Sequence, residues 1–276
     1  CDWEGLKFLE ETFSNNVLRE HNWKFWYLII YDQEQTPILS TFLTLGLWKD
    51  DMLANVKASQ AIEKERQLNP YYLTSKVLSL GSLFTEGDHL YVDQTHPLKR
   101  QALNIMMQSM ETLEQRFKPK MIVLRDFIDN NPTHSFFQGQ GFIRVQMPDS
   151  SKIKLEGYHD IDTYVSKLSS RNRRHLRKEI WALEPQLKID VLQTFSTDQL
   201  KQVQALYDQV RQNNLGLNTF SFPDALFENI SKHPNWEFIT ISQEDHPEKM
   251  IGVMLCYNNG NHTYVPSFVG MDYEYL

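Results

Sequence analysis

Apolar positions follow two different periods along this chain. Leu103, Met106, Met110, Leu113 and Phe117 recur at intervals of three and four, so a helix opening at Pro97 presents one apolar face. Pro97 suits a first helical turn, where a missing N–H costs little. Two other blocks read as strand, polar turn, strand. In the first, Asn22-Trp23-Lys24-Phe25 opens an apolar run to Tyr31, Asp32 to Gln35 turn, and Pro37 to Leu43 return. In the second, Asn235-Trp236-Glu237-Phe238 opens Ile239 to Ile241, Gln243 to Glu248 turn, and Met250 to Leu255 return. The blocks align without gaps, Trp23 on Trp236, which predicts a duplicated antiparallel hairpin.

Around the first hairpin, Val77 to Leu83 and Met121 to Leu124 read as strands, and Asn131 to Phe137 as a short helix or turn. Phe142 to Met147 and Lys152 to Leu155 alternate like closing strands. In the second half, Ile161, Val165 and Leu168 share one helical face, and Leu176, Ile180 and Leu183 share another. Ser196 to Gln199 fits a capping box before Leu200, Val203, Leu206 and Tyr207. Phe222-Pro223 starts a short helix to Ile230, and Asn259-Gly260 turns the chain into a strand over His262 to Val269. The expected fold class is α/β, with α+β mixed sheets in tandem halves at residues 1–157 and 158–276. The second half stops before a crossover helix. The natural protein is therefore expected to run on by roughly 50–100 residues, the usual span of what half two lacks, leaving an apolar edge near Val265 to Val269.

Net charge is −7 and the pI about 5.7, which excludes a generally basic nucleic-acid binder. Cys1 and Cys256 offer no disulfide framework or metal pair, and the histidines form no metal-ligand spacing, so no metal is expected. No signal peptide and no apolar run of spanning length is visible, so a cytoplasmic location without a membrane span is expected. Against the acidic background, Arg171, Arg173, Arg174, Arg177 and Lys178 cluster on two adjoining helical faces. They suit a phosphate, a carboxylate or a tRNA-like partner, or else form a solvated helix start. Asp50 and Asp51 either position an amine or decorate a polar loop.

The wording of several segments is more specific. Lys49-Asp50-Asp51-Met52-Leu53, Asn69 to Ser75, Gly81-Ser82-Leu83-Phe84-Thr85-Glu86-Gly87, Val123-Leu124-Arg125-Asp126-Phe127, Leu168 to Glu179, Leu215-Gly216-Leu217-Asn218 and Val269-Gly270-Met271-Asp272-Tyr273 recur together in one group. The chain resembles the GNAT acyltransferase domain of bacterial fusion proteins that carry a PLP-dependent aminotransferase or synthase module. That domain is related to the FemAB/FemX aminoacyltransferases.

The resemblance implies an N-acyltransferase. Its donor would be acyl-CoA (acetyl-CoA) or an acyl-carrier-protein thioester, and its acceptor a small-molecule amine. A fused PLP-dependent synthase module is an expected partner, and DNA is not. The resemblance also implies Glu86 and Asp272 as proton acceptors and Tyr264 as the acid for the leaving thiolate. Tyr273, Asp50, Asp51 and the arginines would then contact substrate. Two alternatives stand beside it: FemX-like aminoacyl transfer from tRNA to a cell-wall precursor, and a silent binding module. One departure from the GNAT pattern is plain. Val92 to Arg100, before the crossover helix, contains no glycine, so half one is not expected to hold CoA in the usual way.

Overall fold

A computed structural model describes residues 3–260 and 263–275. Cys1, His262 and Leu276, which entered the sequence reading, lie outside them. The chain forms two compact units: residues 1–146 with 214–229, and residues 147–213 with 230–276. The expected boundary at 157 is thus corrected twice. The first unit stops earlier, and it reclaims a segment from the second half.

The first unit contains α1 (Trp3–Thr12), β1 (Lys24–Tyr31), β2 (Pro37–Lys49), α2 (Val56–Arg66), β3 (Thr74–Leu80), β4 (Leu90–Val92), α3 (Lys99–Phe117), β5 (Met121–Leu124) and α4 (His134–Gly139). Its sheet runs β1-β2-β3-β5, with β4 also on β2. The β1-β2 and β2-β3 pairs are antiparallel, and β3-β5 is parallel across the α3 crossover. The apolar face read from the sequence is the one α3 buries. Leu103, Met106 and Met110 pack with Leu39, Leu43, Leu78 and Leu80, and Leu113 and Phe117 flank them. On the opposite sheet face a smaller cluster holds Leu9, Phe13, Trp23 and Phe42, with Phe84 and Phe222 against it.

Residues 214–229 join this unit through Phe222 in that smaller cluster and through a buried polar knot. Asn218 accepts from Lys49 Nζ at 3.0 Å and donates to Asp51 and Glu63, each at 2.8 Å. Arg66 closes the knot on Asp51 at 2.5 Å and Glu63 at 2.6 Å. Each buried charge here has an opposite partner, which is the condition for burying charge at all. Burial pushes the Asp51 carboxyl up, but its hydrogen bonds from Arg66 and Asn218 prevail and hold it below the usual carboxylate range. Burial likewise lowers Lys49, which Glu63 opposes.

The second unit contains α5 (Ile161–Lys167), α6 (Ser170–His175), β6 (Leu187–Leu192), α7 (Thr197–Asn213), the end of α8 (Asp224–Lys232), β7 (Trp236–Gln243), β8 (His246–Asn258) and β9 (Tyr264–Met271). Its sheet runs β6-β7-β8-β9 and is antiparallel throughout. The capping box forms as read: Ser196 N donates to Gln199 Oε1 at 2.9 Å, and Gln199 N donates to Ser196 Oγ at 3.3 Å. At Gly270 a Cβ would lie 2.7 Å from Tyr207 N, so glycine lets α7 lie close on β9.

The duplicated hairpins correspond in strand order, β1-β2-β3 with β7-β8-β9. Trp23 is buried just before β1 and Trp236 is buried as the first residue of β7. Their registers differ, however. Phe25 pairs with Thr44, whereas Phe238 pairs with Leu255, the counterpart of Phe42. A two-residue slide keeps the same side chains on each face, so the duplication tolerates it. The closing strands expected at Phe142 to Met147 and Lys152 to Leu155 do not form. Ile143, Val145, Ile153 and Leu155 are exposed there, because no neighbouring strand pairs with them.

Candidate functional site

Ligands in mixed and parallel sheets bind where neighbouring strands part at their carboxyl ends. In the first unit that place is the end of the β3-β5 pair. Pairing runs from Val77 and Met121 to Leu80 and Leu124, then both strands leave. Gly81 turns off with φ +82° while its N–H still donates to Phe42 O at 3.0 Å. Residues 81–89 make an excursion, and β4 then resumes beside β2 at Leu39–Thr41, on the line that β3 left. An insertion of this kind re-aims side chains at a sheet's working end.

The excursion and the residues after β5 bring polar groups together. His89 is buried, its ring edge-on to Phe42 at 5.3 Å. A Cβ at Gly81 would sit 2.3 Å from the His89 ring, so glycine makes room for it. His89 Nε2 lies 3.3 Å from both Asp126 Oδ2 and Thr85 Oγ1, and Thr85 Oγ1 lies 3.0 Å from Ser82 Oγ. Asp126 takes a left-handed backbone, φ +62°, which few non-glycine residues adopt. Arg125 donates to the Ser82 carbonyl and lies 3.6 Å from Asp126 Oδ1. Burial lowers the Arg125 guanidinium from its usual range, and the charges of Asp126 and Glu86 oppose that. Glu86 is exposed on the same excursion.

Of the residues singled out from the sequence, only Glu86 belongs to this constellation. Asp50 and Asp51 do not act as a pair. Asp50 faces Lys120 at 3.3 Å, and Asp51 is consumed by Arg66 and Asn218. Tyr264 and Asp272 do not share a site either. They bracket β9 at its two ends, about 25 Å apart at the rise of a strand. Asp272 accepts from Glu274 N at 3.1 Å and pairs with Lys249 at 3.2 Å. The Glu274 N–H foremost, with Lys249 helping, holds its carboxyl below the usual range, which suits a turn cap better than a base. Burial, Cys256 and Glu237 push the Tyr264 hydroxyl upward. Tyr273 is partly exposed, and its N–H donates to Gln209.

The basic cluster divides by role. Arg173 donates to the carbonyls of Ser166 and Leu168, tying off the end of α5. Arg171, Arg174, Arg177 and Lys178 are exposed, and among the described residues they have no ion-pair partner. Arg171 and Arg174 line an open basin with Asn172, His175 and Glu179. In the first unit, the loop before α3 is filled by its own bonds. Asp93 accepts from Thr95 N at 2.8 Å, Leu98 N donates to His96 Nδ1, and Lys99 N to His96 O. A cavity of about 30 Å³ beside Phe13, Trp23, Lys49 and Phe220 has room for little more than a water molecule. Among the described residues no group of three His, Cys, Asp or Glu side chains could hold a metal ion, and no helix is long and apolar enough to cross a membrane.

Three antiparallel strands, a crossover helix and a parallel strand that parts from its neighbour make the first unit a GNAT-like half, and β7-β8-β9 repeat its opening strands. The chain thus has a tandem GNAT-like α+β fold. No known family profile matches it, and no curated protein matches it in sequence. Among solved structures, L-PGS from Bacillus licheniformis is similar over 99% of this chain and 67% of its own, at 12% identity and a TM-score of 0.46. A variant of the BH1408 protein from Bacillus halodurans is similar over 48% of this chain and 67% of its own, at 12% identity and a TM-score of 0.32.

Proposed function

We propose that this protein is a transferase that moves an acyl group from an activated donor to an amine. The observation that carries the reading is the parting of β3 and β5, where Arg125, Asp126 and Glu86 converge at the working end of a GNAT-like sheet. The reaction needs an amine that has lost a proton, a polarised carbonyl and a protonated leaving group. Carboxylates at the strand ends suit the first need, and donors such as Arg125 suit the second. No covalent intermediate is required. The donor is a thioester, acyl-CoA or acyl-carrier protein, and the acceptor a small amine.

One observation favours a second donor class. The loop before α3 spends its N–H groups internally, while Arg171, Arg174, Arg177 and Lys178 stand exposed with no ion-pair partner among the described residues. Exposed arginines suit a polyanionic donor such as an aminoacyl-tRNA. Radiolabelled transfer to an amine decides between them, using acetyl-CoA and charged tRNA as separate donors. Thioester-dependent product supports the first reading, and tRNA-dependent product that falls steeply with salt supports the second. Product from neither donor rejects the enzyme reading and leaves a binding module.

A further inference from the structure

Resting on the acyl-transfer reading, we propose that Asp126 and His89 form the proton-accepting pair of this site, Asp126 meeting the incoming amine and His89 holding the proton behind it. Three independent observations converge on the pair. The first is place: both residues sit where β3 and β5 part, one on the excursion after β3 and one just past β5. The second is construction. Gly81 is the residue that admits the His89 ring, and Thr41 Oγ1 donates to His89 O at 2.8 Å, which fixes its backbone. Asp126 is held in left-handed backbone, the kind of local strain that accumulates at working sites. The third is an unspent atom. Asp126 Oδ2 is buried and accepts no hydrogen bond, although His89 Nε2 is 3.3 Å away. A buried carboxylate oxygen left unbonded needs a reason, and a proton or a substrate N–H supplies one.

Access divides the labour. The His89 side chain is 2% exposed and that of Asp126 17%, so the carboxylate is the part an acceptor can touch. Among the described residues the charged group beside the pair is Arg125, 3.6 Å from Asp126 Oδ1, with Glu86 acting on Arg125, while the neighbouring Asp88 turns to its own backbone and accepts from Leu90 N. In the reaction an acceptor ammonium loses one proton to Asp126, which shares it with His89. The free nitrogen pair forms the N–C bond at the donor carbonyl. The C–S or ester C–O bond breaks, and its electron pair leaves with the thiolate or alkoxide, which takes up a proton from the amine nitrogen as the amide forms. Thr85 and Ser82 extend the hydrogen-bonded line from His89.

The test uses the chain as it stands, with whichever of acetyl-CoA or charged tRNA supports turnover. The acceptors are ethylamine, protonated at pH 7, and 2,2,2-trifluoroethylamine, largely neutral there. Asp126→Asn and His89→Gln are compared with wild type after near-UV circular dichroism. The expected result is a kcat loss of about 100-fold with ethylamine and a KM change of no more than about threefold, the signature of a lost proton acceptor. With the neutral amine the loss shrinks to about tenfold or less, because the proton is already gone. Equal losses with both amines mean a merely structural role and overturn the pair, as does unchanged kcat. If both variants lose their fold, the pair is structural and the proposal fails. Absence of turnover by the wild-type chain with either donor removes the acyl-transfer reading and the pair's role together, an outcome distinct from active wild type with indifferent variants.

Discussion

β3 in the first unit and β9 in the second occupy the same place in their sheets, and their free sides meet different fates. Beside β3 lies β5, delivered in parallel by α3, and the two part to open the candidate site. Beside β9 there is no strand among the described residues, and Tyr264, Val265 and Val269 stay between 37% and 42% exposed along that edge. The contrast shows what a split strand pair requires. One strand alone offers an edge, whereas two that diverge offer a concave end with side chains from both. It also separates the roles of two glycines. Gly81 makes room for a side chain, His89, and Gly270 makes room for the backbone of α7. The first unit adds a stabilising device of its own, the buried knot of Lys49, Asp51, Glu63, Arg66 and Asn218, in which a neutral amide from late in the chain completes the hydrogen bonding of the paired charges.

The knot supplies the largest expected effect. Asp51→Ala leaves Arg66 buried beside a lost partner and should destabilise the first unit by about 3–5 kcal/mol. Hydrogen exchange should then rise in peptides from β2 and α2, with β7 and β8 unchanged. Equal loosening of both units would end the claim that they are separately stabilised.

The glycines come next. Gly270→Ala sets a Cβ 2.7 Å from the Tyr207 nitrogen, which belongs to a helix backbone and has no rotamer to retreat into. A loss of about 1–3 kcal/mol is expected in the second unit. Gly81→Ala should cost a similar amount in the first, through its φ and the His89 ring, and should also move the His89 resonances. Chemical denaturation followed by unit-specific probes distinguishes them, and a Gly81→Ala effect confined to the second unit would contradict the packing described.

The sequence exposed some of this comparison and hid the rest. Local periodicity carried α3, whose five apolar positions all pack as read, because a helix face is set by neighbours three and four apart. The hairpins were legible for the same reason, down to their tryptophans. The strands expected over Phe142 to Met147 and Lys152 to Leu155 had the right alternation and no partner, and pairing is a property of a neighbour rather than of a segment. Asp50 and Asp51 looked like paired carboxylates, yet adjacent residues after a strand point opposite ways, and only the folded chain reveals that Asn218 meets one of them. His89 and Asp126 share no spacing motif, since a loop and a crossover separate them. The one available signal was a charged pair, Arg125-Asp126, directly following the short apolar run Met121 to Leu124, which is where a buried parallel strand presents its working end.

Acid should sharpen the contrast further. Burial raises the Asp51 and Glu63 carboxyls, but Arg66, Lys49 and Asn218 prevail and hold both below their ordinary range. Their contribution is therefore complete above the unfolded carboxyl range, near pH 4, and is lost as pH falls through the lower folded values. The first unit should loosen as the pH falls below about 4, and Asp51→Asn should flatten that dependence. An acid transition of the same steepness in the variant would mean that other carboxylates carry it.

The smallest effect lies in the second unit and tests whether its helices depend on local signals where the first depends on buried charge. Ser196 caps α7 with its hydroxyl, and Gln199 answers by accepting from Ser196 N, so two otherwise orphaned backbone donors are satisfied reciprocally. Both bonds lie at the exposed surface, where water replaces a lost partner at modest cost. Ser196→Ala should therefore destabilise the second unit by about 1 kcal/mol, and Ser196→Asp should restore most of it, because a carboxylate caps equally well and suits the positive end of the helix. The first unit has no equivalent at its longest helix: Leu98 precedes α3 and supplies no side-chain cap, so α3 is held mainly by its packed face of Leu103, Met106 and Met110. Leu98→Ser, which could supply a cap there, should then leave stability within about 0.5 kcal/mol of wild type if packing already fixes the helix start. A gain near 1 kcal/mol would instead show that α3 was frayed at its N-terminus, and the difference between the two units would lie in capping as well as in charge.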